Sequence, residues 1–403
     1  MEIDTVDPKY DALSVDGHTS LKNVPLLDES ISRSAPIVDH KDILPTGKYI
    51  KAFQGHLLKL LQEIRLFVKH SNKGKIAIVG CGLIGKSWAM LFASAGYNVM
   101  IYDKDSAASS DALVTIKDEL NKLENSQLLR GTLTAEQQHS LISRTEDLET
   151  CVKGALHVQE SVPECEEMKK IIFNKLDSLA TDGMTLCSST SCIMPSTFSE
   201  NLKHRAQVLV AHPANPPYYV PIVEIVQSTW TSPDIVSRTI ELMKEIGQKP
   251  VTVKKEIYGF GINRMQYAII NECWRLVSDG VMSVEDIDAV MSEGLGMRYA
   301  FLGPFETCQL NADGMADYCR RYANGIFNVS ETFGPVPKME DKAGSTKITI
   351  SAENLDVPGT FLTNANFQAL PVAVKVFQKI EVNRQRVPLY GRVGKIPDRR
   401  EQD

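Results

Sequence analysis

The sequence lacks several features that would define other classes of protein. Its 403 residues contain no run of eighteen or more apolar side chains, so nothing in it reads as a membrane span. Basic residues are not in excess. With 44 Lys and Arg against 50 Asp and Glu, the formal charge is −6, which supplies no positive footprint for nucleic acid. The eight cysteines include no Cys-x-x-Cys pair, which argues against a zinc site or a disulfide framework and for reduced thiols. The first residues have no apolar signal core, and Glu2, Asp4, Asp7, Asp11 and Asp16 make them too acidic for an organellar transit peptide. A cytoplasmic protein acting on a small molecule, with no metal, membrane or nucleic-acid partner, is the expectation.

Two domains fit within this length, and 43% hydrophobic residues is an ordinary globular composition. The first forty-five or so residues are polar and without period, which predicts disorder. Between Ile50 and Val68 the apolar residues Phe53, Leu57, Leu60, Leu61, Ile64 and Val68 share one helical face, which predicts an amphipathic helix. From Lys75 onward, apolar strand candidates recur at Ile76 to Val79, Val99 to Tyr102, Leu156 to Val162, Thr185 to Ser188, Val208 to Ala211, Ile222 to Val226 and Val251 to Val253, with helical stretches between several of them. Strands alternating with helices predict a doubly wound, mainly parallel α/β sheet. After Tyr258 the pattern turns helical, with a helix over Ile262 to Val277 and another that Ser283 and Asp286 cap and Gly294 ends.

Gly80-Cys81-Gly82-Leu83-Ile84-Gly85 closes the first strand. A glycine triplet alone is weak, but after a buried strand and before a helix it reads as a dinucleotide fingerprint. Gly80 makes the turn, Gly82 admits a pyrophosphate, and Gly85 allows the helix to approach the strand. Asp103, at the end of the next strand, can accept a ribose 2′-hydroxyl and would repel a 2′-phosphate, so NAD is favoured over NADP.

Hydride removal from an alcohol also needs a base, and histidine is the usual one. Of eight histidines, His18, His40, His56 and His70 precede the fold, His139 and His204 lie in polar stretches that predict solvation, and His157 reads as a satisfied core residue. His212 directly follows a strand, at the carboxyl edge where open α/β sheets bind ligands, and remains by elimination. Glu224 sits in the apolar run Ile222-Val223-Glu224-Ile225-Val226. It either faces His212 as the acidic half of a dyad or points from an edge strand into solvent.

Four further motifs then carry a resemblance: Ser188-Ser189-Thr190-Ser191-Cys192, the stretch from Ala211 to Tyr219, Gly259-Phe260-Gly261-Ile262-Asn263-Arg264, and the stretch from Gly294 to Pro304. From Lys75 to about Gly334 the chain resembles the 3-hydroxyacyl-CoA dehydrogenase superfamily, and more closely its lambda-crystallin branch, whose activity is that of an L-gulonate 3-dehydrogenase. The resemblance implies that His212 and Glu224 are the catalytic pair and that Ser191 hydrogen-bonds the reacting oxygen. It places Asn215 near the nicotinamide, has Asn263 contributed by the helical domain, and makes Glu164 and Lys169 cofactor contacts. It sets the backbone of Leu83 and Ile84 against the NAD phosphates. A homodimer is also implied.

His212-Pro213-Ala214-Asn215-Pro216 departs from the His-Phe-Phe-Asn-Pro of acyl-CoA members, and an insert surrounds Arg298. Both departures favour a sugar acid, with Arg298 as a bidentate partner for its carboxylate or, alternatively, an arginine lying along the domain junction. The expected organisation is an extension over 1–73, a Rossmann-type NAD-binding domain over 74–256, a smaller all-helical domain over 257–342 and a divergent tail over 343–403. Within that tail Ser345 to Ile350 alternates like a strand. Three functions stay open: oxidation of L-gulonate, oxidation of a 3-hydroxyacyl-CoA by the same residues, and a crystallin-like structural role.

Overall fold

A computed structural model describes residues 73–339. The leader expected to lack order, the helix expected near 50–70, and the strand-like and polar segments expected from 343 onward lie outside those residues. The described chain opens with β1 (Lys75–Val79), α1 (Leu83–Ser94), β2 (Asn98–Tyr102), α2 (Ser106–Asn125), α3 (Ala135–Ser140) and β3 (Ile142–Thr145). It continues through α4 (Leu148–Val152), β4 (Ala155–Glu160), α5 (Glu166–Leu179), β5 (Thr185–Ser188), α6 (Pro195–Ser199) and β6 (Val208–Pro213). The sheet is completed by β7 (Ile222–Gln227), α7 (Pro233–Glu245) and β8 (Lys249–Val253).

The strands form one sheet in the order β3-β2-β1-β4-β5-β6-β7-β8, and every neighbouring pair is parallel except β6 and β7. After Lys75, β1 is apolar to its end because both its faces are covered. Its side chains alternate between two cores, as the two-residue period of a strand requires. Ile76 and Ile78 pack with Trp88 and Phe92 of α1, Ile116 and Leu120 of α2, and Met243 of α7. Ala77 and Val79 pack with Cys151 of α4, Phe173 of α5 and Phe198 of α6.

β3 had no counterpart among the sequence candidates. It is a four-residue edge strand in which only Ile142 is fully buried, so it carries no apolar run. The fourth strand ends at Glu160 rather than Val162, releasing Ser161 and Val162 into the loop at the sheet's carboxyl edge.

The chain then becomes helical: α8 (Ile262–Ser278), α9 (Val284–Ala289), a π-helical turn (Val290–Leu295), α10 (Gly296–Tyr299), α11 (Pro304–Leu310) and α12 (Met315–Glu331). Ser283 caps α9 as expected, its hydroxyl accepting from the Asp286 N–H at 3.0 Å. The helix does not stop at Gly294. It widens into the π turn and resumes at Gly296, where a β-carbon would lie 2.5 Å from the Met291 carbonyl oxygen. Gly294, without left-handed φ, is no terminator, and it is Gly296 that admits a close backbone contact.

Candidate active site

A cavity of about 660 Å³ opens at the carboxyl edge of the sheet, walled on one side by the turns after β4, β5 and β6 and on the other by the first residues of α8. Ile84, Glu164, Ser191, His212, Asn215 and Asn263 all line it, so residues expected at one site are brought together.

The fingerprint forms the tight junction it predicts. Gly80 has φ 100°, open to glycine at little cost. A β-carbon on Gly85 would sit 1.9 Å from the Gly80 carbonyl oxygen, so the helix can approach the strand only without one. Nothing lies within 4 Å of the corresponding position at Gly82, which leaves its backbone open to a ligand. Leu83 and Ile84 form the first turn of α1, whose N-terminus carries no side-chain cap. Its unpaired N–H groups and positive dipole end suit a pyrophosphate.

Asp103 accepts from the Cys81 N–H at 2.9 Å, the Cys81 thiol at 3.2 Å and the Asp105 N–H at 3.1 Å. Burial by itself would raise its carboxyl pKa, but those donors outweigh burial and hold it below the usual carboxylate range. The Cys81 thiol is pushed up to about 12 by burial and by that carboxylate, so it stays protonated as a donor. All eight cysteines are free thiols.

His212 and Glu224 face each other across the antiparallel β6–β7 pair, in direct register. His212 Nδ1 lies 2.7 Å from Glu224 Oε2, and both side chains are buried. The other oxygen, Oε1, accepts from the N–H groups of Gly261 at 2.7 Å and Ile262 at 2.9 Å, where α8 begins. A carboxylate with these donors is an acceptor, so Nδ1 carries the imidazole proton and Nε2 is left as the free base. Phe260 packs its ring against His212 with centroids 5.7 Å apart. It does so from the left-handed region, φ 48°, a conformation that costs a bulky residue on the order of 1–3 kcal/mol. The solvent-facing alternative for Glu224 is thereby excluded.

Ser191 and Glu164 are joined through a loop. Glu164 Oε1 accepts from Thr190 Oγ1 at 2.6 Å, from the N–H groups of Ser191 at 3.0 Å and Cys192 at 3.1 Å, and from Ser191 Oγ at 3.3 Å. Burial acts to raise the Glu164 pKa. The Thr190 hydroxyl, the Lys169 charge and the two N–H groups prevail and lower it. Asn263 donates Nδ2–H to the Ser191 carbonyl at 2.9 Å, tying α8 to the same loop.

Lys169 lies beneath this floor rather than on it. It is 1% exposed and pairs with Glu160 at 3.0 Å, with Glu164 at 3.7 Å. Expected as a cofactor contact, it has its ammonium turned to two carboxylates inside the protein. Glu160, which also accepts from the Ser188 hydroxyl and from the Val162 N–H, went unnoticed in the sequence. The signal was there: an acid closing a buried strand, as at Glu224. Gln266 and Tyr267 of α8 and the hydroxyls of Ser161 and Ser189 also line the cavity and were missed.

Arg298 does not join the site. It is exposed on α10, its guanidinium 5.4 Å from the Tyr299 ring centre, and it is not among the cavity-lining residues. His139 and His204 are not freely solvated either: His139 Nε2 is buried, and His204 Nδ1 lies 3.1 Å from Asp177 Oδ1. His157 is only half satisfied, since Nε2 meets Gln159 at 3.0 Å while Nδ1 has no partner.

Comparison with known proteins bears on this arrangement directly. Residues 75–257 match the model of the 3-hydroxyacyl-CoA dehydrogenase NAD-binding domain, and residues 259–346 match that of the 3-hydroxyacyl-CoA dehydrogenase C-terminal domain. The lambda-crystallin homolog of Bos taurus is 54% identical over 268 residues, 66% of this chain and 84% of that protein. The chain belongs to the 3-hydroxyacyl-CoA dehydrogenase family. Within that family an L-carnitine dehydrogenase of Oceanobacillus iheyensis is 33% identical over 66% of this chain and 82% of its own length. A solved structure described as FHMPC 5-dehydrogenase, an NAD+-dependent dismutase, aligns with a TM-score of 0.61 and 27% identity over 77% of this chain and 97% of that one.

As a member of the 3-hydroxyacyl-CoA dehydrogenase family, the protein is an NAD-dependent dehydrogenase acting on a hydroxy-acid substrate. The residues fit the cofactor: the glycine turn a β-carbon would fill, the uncapped N-terminus of α1 and the ionised Asp103 form a continuous cradle. Among the described residues, no helix is long and apolar enough to cross a membrane.

Proposed function

We propose that the protein oxidises the 3-hydroxyl of L-gulonate to 3-dehydro-L-gulonate. The observation that carries the substrate class is the cavity wall around His212. Ser191, Asn215, Asn263, Gln266 and Tyr267 are neutral hydrogen-bonding side chains, suited to a polyhydroxylated acid rather than to an acyl chain. Bound NAD supplies the acceptor for the hydride leaving C3. His212 Nε2 takes the hydroxyl proton, and Glu224, fixing the proton on Nδ1, stabilises the imidazolium that results. Ser191 holds the oxygen that becomes the carbonyl, and Asn263 holds the Ser191 backbone in place. Asn215, which lines the cavity with His212, would lie near a bound nicotinamide, and Glu164, which holds the Ser191 loop, would border the cofactor.

An acyl-thioester substrate is the second reading, and the family's matched domains favour it. The same dyad would serve. Comparing kcat/KM for L-gulonate and 3-hydroxybutyryl-CoA separates the two, with L-gulonate expected to exceed the thioester by at least about a hundredfold. Preference for the thioester would overturn the sugar-acid assignment. A purely structural, crystallin-like role is disfavoured by the intact dyad. The cytoplasm is the compartment in which such free thiols persist.

The proposal includes a homodimer. Phe305, Leu310 and Phe327 on α11 and α12 are 77%, 69% and 61% exposed, apolar surface that a second copy would cover. Sedimentation or light scattering should give twice the chain mass.

A further inference from the structure

Behind the cavity, between β4 and the turn after β5, runs a chain of polar groups that neither the dyad nor the Ser191 loop uses. His157 Nε2 lies 3.0 Å from Gln159 Oε1, and Gln159 Nε2 lies 2.7 Å from Ser189 Oγ. Ser189 Oγ also receives Trp88 Nε1 at 3.1 Å and lies 2.9 Å from Ser161 Oγ. His157, Gln159 and Trp88 are essentially inaccessible, whereas Ser161 and Ser189 reach the cavity.

Hydrogen-bond valence gives this chain a direction. An indole N–H can only donate, so one lone pair of Ser189 is committed to Trp88. The amide of Gln159 could be placed either way round. If its oxygen faced Ser189, its nitrogen would donate to His157 Nε2, and the imidazole proton would be left on the unpartnered Nδ1. A buried N–H with no acceptor is rarer and costlier than a buried bare acceptor, so the arrangement with the nitrogen toward Ser189 prevails. His157 is then a neutral Nε2–H tautomer, in keeping with the downward push of burial on its pKa. Ser189 now accepts twice, from Trp88 and from Gln159. Its single proton must go to Ser161. Ser161 Oγ accepts it, and its own side chain makes no other hydrogen bond among the described residues.

We infer that Ser161 is a cofactor-binding residue, its hydroxyl committed by this chain as a hydrogen-bond donor to an acceptor oxygen, ribose or phosphate, of the bound dinucleotide. Position decides for the dinucleotide over the hydroxy acid. Ser161 follows β4 directly, its N–H bonds the Val79 carbonyl at 2.7 Å, and a β-carbon on Gly80 would lie 2.6 Å from its carbonyl oxygen. It stands against the glycine turn, not beside the strands that carry His212 and Glu224. Ser189 is the positioning residue that turns the hydroxyl outward.

The inference rests on the cofactor reading of the cavity, and one titration separates the two. NADH binding is followed by fluorescence in wild type, Ser161→Ala and Ser161→Cys, with KM for the hydroxy acid and the melting temperature measured alongside. Removing one neutral donor should raise the Kd for NADH about five- to tenfold in Ser161→Ala, less in Ser161→Cys with its weak S–H donor, and leave the melting temperature and the substrate KM nearly unchanged. Wild type that binds no NADH would overturn the cofactor reading and this inference with it. Normal NADH binding by wild type and Ser161→Ala alike would overturn the inference alone. A raised substrate KM with unchanged Kd would move the acceptor oxygen to the hydroxy acid and overturn the assignment. Should Ser161→Ala fail to fold, the Cys variant, equal in size to serine within one atom, carries the same comparison.

Discussion

Glu224 answers His212 with one oxygen and the first turn of α8 with the other, at 2.7 Å to Nδ1 and 2.7 and 2.9 Å to the N–H groups of Gly261 and Ile262. Replacing it with glutamine separates these duties. The amide oxygen can keep the two N–H groups, but the amide nitrogen must then donate to Nδ1, which forces the imidazole proton onto Nε2 and removes the base. Glu224→Gln should lower kcat by about 10²- to 10⁴-fold while NADH binding is preserved. Stopped-flow turnover beside an NADH titration would show it, and a change under tenfold would contradict the role.

A gentler perturbation acts on the same oxygen. The backbone at Gly261 has φ −93°, open to any residue, so alanine introduces no backbone strain there. Its β-carbon would nonetheless lie 2.8 Å from Glu224 Oε1 and must push the carboxylate away. Gly261→Ala is expected to reduce kcat roughly ten- to a hundredfold with little loss of global stability. Parallel kinetic and urea-unfolding measurements check this.

Lys169 gives the opposite pattern. Its charge is buried against Glu160, itself 0% exposed, so Lys169→Met strands a carboxylate inside the protein. The loss in unfolding free energy should be ~3–5 kcal/mol, and the Lys169→Met, Glu160→Gln double variant should recover part of it. If the lysine acted by contacting the cofactor instead, the NADH Kd would change and the denaturation midpoint would not.

His157 sets an acid limit on stability. Burial holds its pKa at about 4 in the folded protein, against 6.5 for an ordinary histidine. The unfolded chain therefore binds a proton that the folded one refuses, and the stabilisation present above pH 6.5 is lost as pH falls toward 4. Between pH 7 and 4.5 this amounts to ~2–3 kcal/mol. Urea midpoints across that range should fall for wild type and fall less for His157→Gln.

Much of this architecture was legible in the sequence because burial leaves a trace. β1 is apolar on both faces since helices cover both, and Gly80 and Gly85 mark backbone that a side chain would block. His212 could be placed at the sheet edge by elimination. What composition could not carry was direction. β7 runs antiparallel to β6, and only that reversal sets Glu224 in register with His212, so spacing alone left the acid's facing open. β3 was missed for want of apolar residues, and Glu160 because its partner lies nine residues away on a helix. Nothing in the pattern around Arg298 signals that it sits exposed on α10, outside the cavity lining.

The shared carboxylate joins two parts of the fold that lie far apart in the sequence. Without the N–H groups of Gly261 and Ile262, Glu224 Oε1 would be a buried charged acceptor with no donor, a costly state that favours the seated α8. The same side chain fixes the imidazole of His212 through its other oxygen. Anchoring the helix and orienting the ring are therefore one task, carried by a single buried acid.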